Sequence, residues 1–278
     1  MEQQLQVNPF MDSATQPSQR YSHSAVQYGD EIFISHGYFY NRWSEPSRAT
    51  YLRDTWSYSM KSNRWTRVNN GKMGHAPNAR MSHGAVVHGA SMYLFGGERD
   101  DSEGALCGSA KDPFCEDSYY NDMWILDLQT HVWSLVPNEQ PLPRARSGMV
   151  FEALGTGMIM YGGLRRHDTW TYSPQTRKWT AIETSEPDGT NHPGDRYGAT
   201  GATVGRRLYV FGGNCHKCPH SCMNDLWYID ADAPVWHSLS SCTTTSQTPN
   251  LFPIGRYYSS MAVSHQTHTT QSECRASA

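Results

Sequence analysis

The strongest constraint on the fold is a motif that recurs along the chain every 50 to 66 residues. In its fullest copy Arg80 precedes two short apolar segments, residues 85–87 and 92–95, with Gly89 in the turn between them. Gly96 and Gly97 end the second segment. Short apolar runs separated by a glycine-containing turn are typical of antiparallel strand pairs. A period of this length predicts a protein built from repeated supersecondary units.

Five units open with the same arginine, and four of them end with the same tryptophan pair. The arginines are Arg20, Arg80, Arg146, Arg196 and Arg256. In four units an aspartate stands two residues before a tryptophan, and a second tryptophan follows nine residues later. These sets are Asp54/Trp56/Trp65, Asp122/Trp124/Trp133, Asp168/Trp170/Trp179 and Asp225/Trp227/Trp236. The constant spacing predicts two paired strands joined by a turn, whereas the variable gap after the glycines predicts a surface loop.

The repeated unit resembles the kelch repeat. The matching features are an Arg-x-Ser-His opening, Gly-Gly after an apolar strand, Asn-Asp-x-Trp and the second tryptophan, over about residues 20–263. Two units depart from it, because Ser35-His36-Gly37 replaces Gly-Gly in the first and His167-Asp168 replaces Asn-Asp in the third. The resemblance implies an all-β fold, a kelch-type β-propeller in which each repeat forms one four-stranded blade.

Four complete blades and an incomplete fifth are expected, because the fifth unit loses the pattern after Val263. The residues that follow are polar and contain no tryptophan pair. We therefore predict a polar N-terminal leader at residues 1–19, the propeller at 20–263 and a polar tail at 264–278 that indicates truncation. Two alternatives are open for the leader: a loose segment, or an outer strand at Leu5-Gln6-Val7 that closes the ring.

Composition argues against several classes of partner. The net charge of −3 gives no reason to expect nucleic acid or an acidic membrane as a partner. No stretch has the length of a membrane span, and the N-terminus lacks the basic-then-apolar order of a signal peptide. The lack of a signal peptide favours the cytosol, whereas clustered cysteines favour an extracellular location. The compartment therefore stays open.

Two predicted loops contain clustered cysteines. The loop of the second unit holds Cys107 and Cys115, which could form a disulfide in an oxidising compartment. The loop of the fourth unit offers a set of possible zinc ligands: Cys215, His216, Cys218, His220 and Cys222. This set suffices for a tetrahedral site, but zinc sites usually draw their ligands from two separated clusters. Disulfides or free thiols are the competing interpretation.

The repeat arginines are the candidate binding residues. In a meandering blade the starts of the first and third strands share one face with the loop between the second and third. The resemblance implies that this face binds an acidic protein segment at the channel mouth. The residues involved would be Arg20, Arg80, Arg146, Arg196, Arg256, Ser22, Ser82 and Ser147. A guanidinium can hold a carboxylate with two parallel hydrogen bonds. The structural alternative is that each arginine pairs with the aspartate of its own blade.

These observations predict a non-enzymatic protein-binding module without a cofactor, whose partner is a protein or peptide segment. One alternative is a kelch segment of a larger extracellular protein that contains disulfides. The other is a metal-dependent kelch-type enzyme. The sequence contains neither a ligand set that matches such enzymes nor a nucleophile motif such as Gly-x-Ser-x-Gly. The binding module is therefore the preferred interpretation.

Overall fold

The computed structural model describes residues 15–41, 48–69, 76–99, 115–116, 118–183, 192–215, 223–240 and 256–261. Every structural statement below refers to these residues. Within them the regular structure consists of β-strands, and no helix is long and apolar enough to cross a membrane. The proposed closing strand at Leu5-Gln6-Val7 and the tail at 264–278 lie outside the described residues and stay predictions.

Four antiparallel sheets of four strands each follow one another along the chain, and we call them blades 1 to 4. Blade 1 and its inserted hairpin comprise β1 (Ser24–Tyr28), β2 (Glu31–Ser35), β3 (Tyr38–Asn41), β4 (Arg48–Tyr51), β5 (Thr55–Ser59) and β6 (Arg64–Asn69). Blade 2 and its inserted hairpin comprise β7 (Gly84–His88), β8 (Ser91–Phe95), β9 (Cys115–Glu116), β10 (Tyr119–Tyr120), β11 (Met123–Asp127) and β12 (Trp133–Val136).

Blades 3 and 4 contain no inserted hairpin among the described residues. Blade 3 comprises β13 (Val150–Leu154), β14 (Gly157–Tyr161), β15 (Thr169–Ser173) and β16 (Lys178–Ile182). Blade 4 comprises β17 (Thr200–Val204), β18 (Arg207–Phe211), β19 (Leu226–Asp230) and β20 (Trp236–Ser240). In every blade the four strands are ordered as they occur in the chain. The predicted kelch-type propeller fold is therefore confirmed.

The hydrophobic core lies between the blades. Side chains alternate between the two faces of a strand, so each blade can bury apolar side chains against both neighbours. Between blades 2 and 3, Phe95 contributes to one cluster with Phe151, Met160 and Trp179 of the next blade. Similar clusters join blade 1 to blade 2 and blade 3 to blade 4. The first strands of successive blades lie side by side.

Two backbone hydrogen bonds repeat at every junction between blades. In the first, the second residue of the Gly-Gly position donates its N–H to the carbonyl of the next repeat arginine. These bonds are Gly37–Arg80, Gly97–Arg146, Gly163–Arg196 and Gly213–Arg256, each 2.9 Å long. In the second, the residue two positions after each arginine donates to its counterpart in the preceding blade. These bonds are Ser82–Ser22 (2.9 Å), Gly148–Ser82 (2.8 Å), Gly198–Gly148 (2.8 Å) and Tyr258–Gly198 (2.7 Å). Residues 256–261 therefore occupy the position of the start of a fifth blade.

Candidate functional site

Four of the five repeat arginines are paired with the aspartate of their own blade: Arg20, Arg80, Arg146 and Arg196. In blade 2, Arg80 donates from Nη1 to Oδ1 of Asp122 at 2.5 Å and from Nη2 to Oδ2 at 2.8 Å. Its Nη1 also donates to the carbonyl of Gly96 at 2.9 Å. The Arg80 side chain is fully buried. This arginine joins the start of the first strand, the end of the second and the start of the third.

The other blades repeat this arrangement with small differences in burial. The shortest oxygen contacts are 2.8 Å for Arg20–Asp54, 2.6 Å for Arg146–Asp168 and 2.9 Å for Arg196–Asp225. The first tryptophan of each pair donates its indole N–H to the same aspartate, at 2.5 to 2.7 Å. The sequence analysis missed this bond, although the constant Asp-x-Trp spacing was its signal. The aspartate of blade 3 differs, because the Asp168 side chain is 41% exposed.

The pKa values of two of these aspartates show that the arginine offsets the effect of burial. Desolvation raises the pKa of Asp54, but hydrogen bonds and charge from Arg20 outweigh it, so the pKa of Asp54 is lowered overall. Desolvation likewise raises the pKa of Asp168, and Arg146 lowers it by more. Both carboxylates therefore stay ionised at neutral pH as partners of their arginines.

This geometry bears on the arginines of blades 2 to 4, whose contact with a partner stays a prediction. Arg80, Arg146 and Arg196 were predicted to contact a partner, with pairing inside the blade as the alternative. The structure contains the pairing, and a partner carboxylate would have to displace an aspartate to reach these guanidinium groups. Arg256 is exposed and borders a cavity of about 420 Å³ beside blade 4.

The predicted serines lie in two different environments. Ser22 and Ser82 line a central cavity of about 500 Å³ together with Gly148, Gly198 and Tyr258. All five are the residues two positions after a repeat arginine, and all five have positive φ, between 51° and 63°. Arg20 also borders this cavity. Ser147 is one position out of step with the other two serines and is buried, 3% exposed.

We call the entrance to this central cavity the mouth and define it by Arg20, Tyr21, Ser22, Ser82 and Tyr258. Tyr21 packs edge-on against Tyr38, with ring centroids 4.2 Å apart. Burial raises the pKa of the Tyr258 hydroxyl, and the neighbouring Ser82 side chain lowers it by less. The side chains of Tyr21 and Tyr258 are 43% and 51% exposed. The mouth thus combines hydroxyl groups with exposed aromatic rings.

Three histidines lie beside the mouth at the junction of blades 1 and 2. The rings of His36 and His83 are 5.4 Å apart and both are buried. Burial lowers the pKa of both far below 6.5, and the positive charge of Arg80 lowers it further. The pKa of His23 is also lowered, first by burial and then by Arg20. These imidazoles are therefore neutral at pH 7.

Of the predicted zinc ligands, only Cys215 has a described side chain. It is 3% exposed and forms a disulfide, so its sulfur is not a thiolate ligand here. Its partner cysteine is not among the described side chains. Cys218, Cys222, His216 and His220 lie outside the described residues, as does Cys107. In the part of the chain that is described, no three metal-binding side chains form a cluster.

A family model described as the KLHDC2/KLHL20/DRC7 Kelch-repeats domain matches residues 3–163 and 116–270. The chain is 28% identical over 264 residues to the leucine-zipper-like transcriptional regulator 1 homolog of Drosophila melanogaster, covering 90% of this chain and 24% of that protein. It is 22% identical over 242 residues to human Kelch domain-containing protein 10, covering 84% of this chain and 51% of the relative. It is 31% identical over 154 residues to N-(sulfonatooxy)prop-2-enimidothioate sulfolyase of Thlaspi arvense, covering 54% of this chain and 39% of that enzyme.

The chain thus spans from 24% to 51% of the length of these relatives. The family model covers more than half of the chain, and the repeat motif, the four-stranded blades and the Arg–Asp pairs agree with it. The chain belongs to the kelch-repeat family.

Proposed function

We propose that this chain is a protein-binding module whose partner docks at the mouth. The observation that carries the proposal is the exposure of two tyrosines of the mouth, Tyr21 and Tyr258, and of Tyr257, whose ring lies 5.6 Å from that of Tyr258. Tyr21, Tyr257 and Tyr258 are each more than 40% exposed, although a tyrosine ring gains free energy when it is buried. Tyrosine is enriched among the residues that dominate protein–protein binding energies.

The Arg–Asp pairs have a supporting role in this proposal. They join three strands of each blade at the edge that carries the mouth, and so hold the positions of Ser22 and Ser82. A rigid mouth loses little conformational entropy when a partner binds. We therefore assign partner contact to Ser22, Ser82 and the tyrosines, and assign bracing to Arg20, Arg80, Arg146 and Arg196.

An acidic or hydroxyl-rich protein segment is the partner chemistry we propose. The hydroxyls of Ser22, Ser82 and Tyr258 can both donate and accept hydrogen bonds. Arg20 lies at the rim, but Asp54 neutralises its charge and its side chain is only 3% exposed. A non-enzymatic role fits this chemistry. The sulfolyase relative is what keeps the enzymatic alternative open, and the Cys215 disulfide supports the alternative of an extracellular kelch segment.

Peptide selection tests the mouth directly. Peptides from a random library are selected on the wild-type chain, and their affinities are then measured for Tyr21→Ala and Tyr257→Ala. Loss of a dominant aromatic contact should weaken binding about ten-fold or more. The matched controls are Met60→Ala and Val204→Ala, which remove exposed apolar side chains from turns at the opposite edge. Equal affinities for all variants, or no selected peptide, would contradict the proposal.

A further inference from the structure

The first and last of the four complete blades each turn one face away from their neighbour. On β2 of blade 1, Phe33 packs into the cluster shared with blade 2, so the residues on either side of it point the opposite way. On β18 of blade 4, Leu208 and Val210 pack into the cluster shared with blade 3, so their neighbours point away from it. We call these two surfaces the blade 1 face and the blade 4 face. The blade 1 face is defined by Ile32, Ile34, Tyr58 and Trp65, and the blade 4 face by Tyr209, Phe211, Tyr228 and Leu239.

The four positions of the blade 1 face are buried in every other complete blade. Their counterparts have the same spacing from the repeat arginine or from the first tryptophan, and none of them is more than 7% exposed. These counterparts are Met92, Leu94, Leu126 and Trp133, then Met158, Met160, Tyr172 and Trp179, and finally Leu208, Val210, Ile229 and Trp236. In blade 1 all four side chains are partly exposed. Among the described residues, blade 1 therefore lacks the contact that covers these positions elsewhere.

The blade 4 face shows the same contrast. Tyr209 and Phe211 are partly exposed, and Leu239 is 52% exposed. The ring of Tyr228 lies 5.7 Å from that of Tyr209 and 4.7 Å from that of the exposed His237, so the aromatic rings form a continuous surface. At the positions of Tyr209 and Phe211 the other blades have side chains that are at most 7% exposed: Phe33 and Ser35, Tyr93 and Phe95, Ile159 and Tyr161.

Three junctions inside the chain show how two such faces fit together. At each of them the counterpart of the blade 4 face on one blade packs against the counterpart of the blade 1 face on the next. The ring of Phe95, at the position of Phe211, lies 5.0 Å from that of Trp179, at the position of Trp65. The corresponding rings at the junction of blades 3 and 4 lie 4.5 Å apart. The chain thus carries both halves of this aromatic contact, one on each of the two faces.

A second copy of the chain is the occupant that this comparison indicates for the blade 4 face. Two blade 4 faces placed against each other would bring no tryptophan to Phe211, whereas a blade 1 face brings Trp65. Charge does not oppose the contact, because Arg207 at the edge of the blade 4 face is paired with Asp230 at 3.0 Å. Residues 259–261 line one side of the cavity beside blade 4, so the second copy would contact the second to fourth strands of that blade.

We propose that the blade 4 face of one copy binds the blade 1 face of a second copy, with Phe211 packed against the second copy's Trp65. Burial of the exposed apolar side chains on both faces stabilises the contact. The two contacting surfaces are different, so the same contact repeats from copy to copy until a ring closes or a chain grows. The proposal concerns neither the mouth nor a peptide partner, so it stands or falls independently of the proposed function.

Complementary lysine variants test the proposal. Leu239→Lys places a charge on the blade 4 face and Tyr58→Lys places one on the blade 1 face, where burying an ammonium group is unfavourable. Each variant alone keeps only one intact face and should stay monomeric at concentrations at which wild type associates. An equimolar mixture should form a dimer with one copy of each and no larger species, because the two intact faces come from different variants. Sedimentation velocity with a fluorescent label on one variant measures this composition.

Val132→Lys is the matched control, because Val132 is 61% exposed between β11 and β12 of blade 2, and this variant should associate as wild type does. Circular dichroism checks that each variant folds, and Trp65→Ser takes the place of Tyr58→Lys in the mixture if the latter does not. A mixture that stays monomeric overturns the proposal, and so does wild type that never associates. If Tyr58→Lys alone associates as wild type does, the blade 1 face is not the partner of the blade 4 face, and the proposal is wrong.

Discussion

At the scale of single residues, the repeat arginine connects the strands of its blade. The sequence shows where each arginine stands, but it does not show which way the side chain points. The five repeat arginines indicate either converging charges or a structural pair, and the same motif contains the aspartate with which four of them pair. Arg80 is fully buried and both oxygens of Asp122 accept from it. Breaking such a pair leaves an uncompensated charge in the interior, which costs about 3–5 kcal/mol.

We predict that Arg80→Met lowers the free energy of unfolding by about 3–5 kcal/mol. Arg146→Met should cost less, because the 41% exposed side chain of Asp168 can be solvated when its partner is removed. Urea denaturation of both variants measures the difference. The double variant Arg80→Met/Asp122→Leu should recover most of the loss, since it leaves neither charge unpaired. If the double variant is no more stable than Arg80→Met, the pair is not the source of the loss.

The buried histidines predict a loss of stability in acid. His36 accepts from Ser35 at Nδ1 and lies 3.4 Å from the carbonyl of Pro77 at Nε2, an arrangement that suits a neutral ring. Because the pKa values of His36 and His83 are lowered in the folded state, the unfolded chain binds more protons below pH 6.5. The stabilisation is complete above pH 6.5 and decreases as the pH falls towards the lowered folded values. Each histidine contributes at most about 1.4 kcal/mol per pH unit.

Urea denaturation between pH 7.5 and 5.5 checks this dependence. His83→Phe should flatten the pH profile, because it removes one of the two titrating groups that face Arg20 and Arg80 and keeps an aromatic ring. The exposed His237 gives the control, and His237→Phe should keep the wild-type slope. An equal slope in all three proteins would show that other groups control the acid sensitivity.

At the scale of elements, the strands were predictable because period-two apolar runs and turn glycines carry the signal locally. The nine-residue tryptophan spacing correctly predicted the hairpins that form the outer half of each blade. The pair β3–β4 was interpreted as loop, because its sequence is rich in tyrosine and polar residues without a clear alternation. The burial of two Arg53 donors without an acceptor could not be predicted, since it depends on how the chain packs around that side chain.

The close packing of two blades, and not an unusual backbone conformation, requires glycine at position 84, because the φ of Gly84 is not positive. A Cβ added at Gly84, on the first strand of blade 2, would lie 2.7 Å from the Cβ of Phe151 in blade 3. We predict that Gly84→Ala lowers the free energy of unfolding by about 1–3 kcal/mol, the range for an overpacked core. Phe151→Gly in the same chain removes the Cβ that the added methyl group meets, so it should offset part of this loss. Denaturation of the two single variants and the double variant measures the coupling, and strictly additive losses would contradict the steric explanation.

At the scale of the whole molecule, the blades form a series in which each junction repeats the same contacts. The two backbone bonds per junction and the three apolar clusters connect only neighbours in sequence, so stability depends on how many junctions are filled. The repeat pattern predicted this series. The pairing partners across the junctions could not be predicted, because a period in sequence does not specify which backbone groups meet.

Among the described residues, the outward face of blade 4 carries exposed apolar side chains. Val68, Val136 and Ile182 each stand three residues after a second tryptophan and pack into an interblade cluster. Leu239 has the same position in blade 4 and is 52% exposed. With Phe211 and Leu226 it lines the cavity of about 420 Å³ beside residues 259–261. Exposed apolar surface of this kind favours association.

We predict that residues 1–278 self-associate through this face, in a concentration-dependent way. Leu239→Lys should shift the chain towards the monomer, because burying a lysine ammonium in an apolar contact is unfavourable. Val132→Lys adds the same charge at a residue that is 61% exposed in blade 2, between β11 and β12, so it separates the local effect from that of net charge. Sedimentation velocity over a range of concentrations measures the assembly state. Wild type that stays monomeric throughout, or equal monomer fractions in the two lysine variants, would show that the blade 4 face does not drive association.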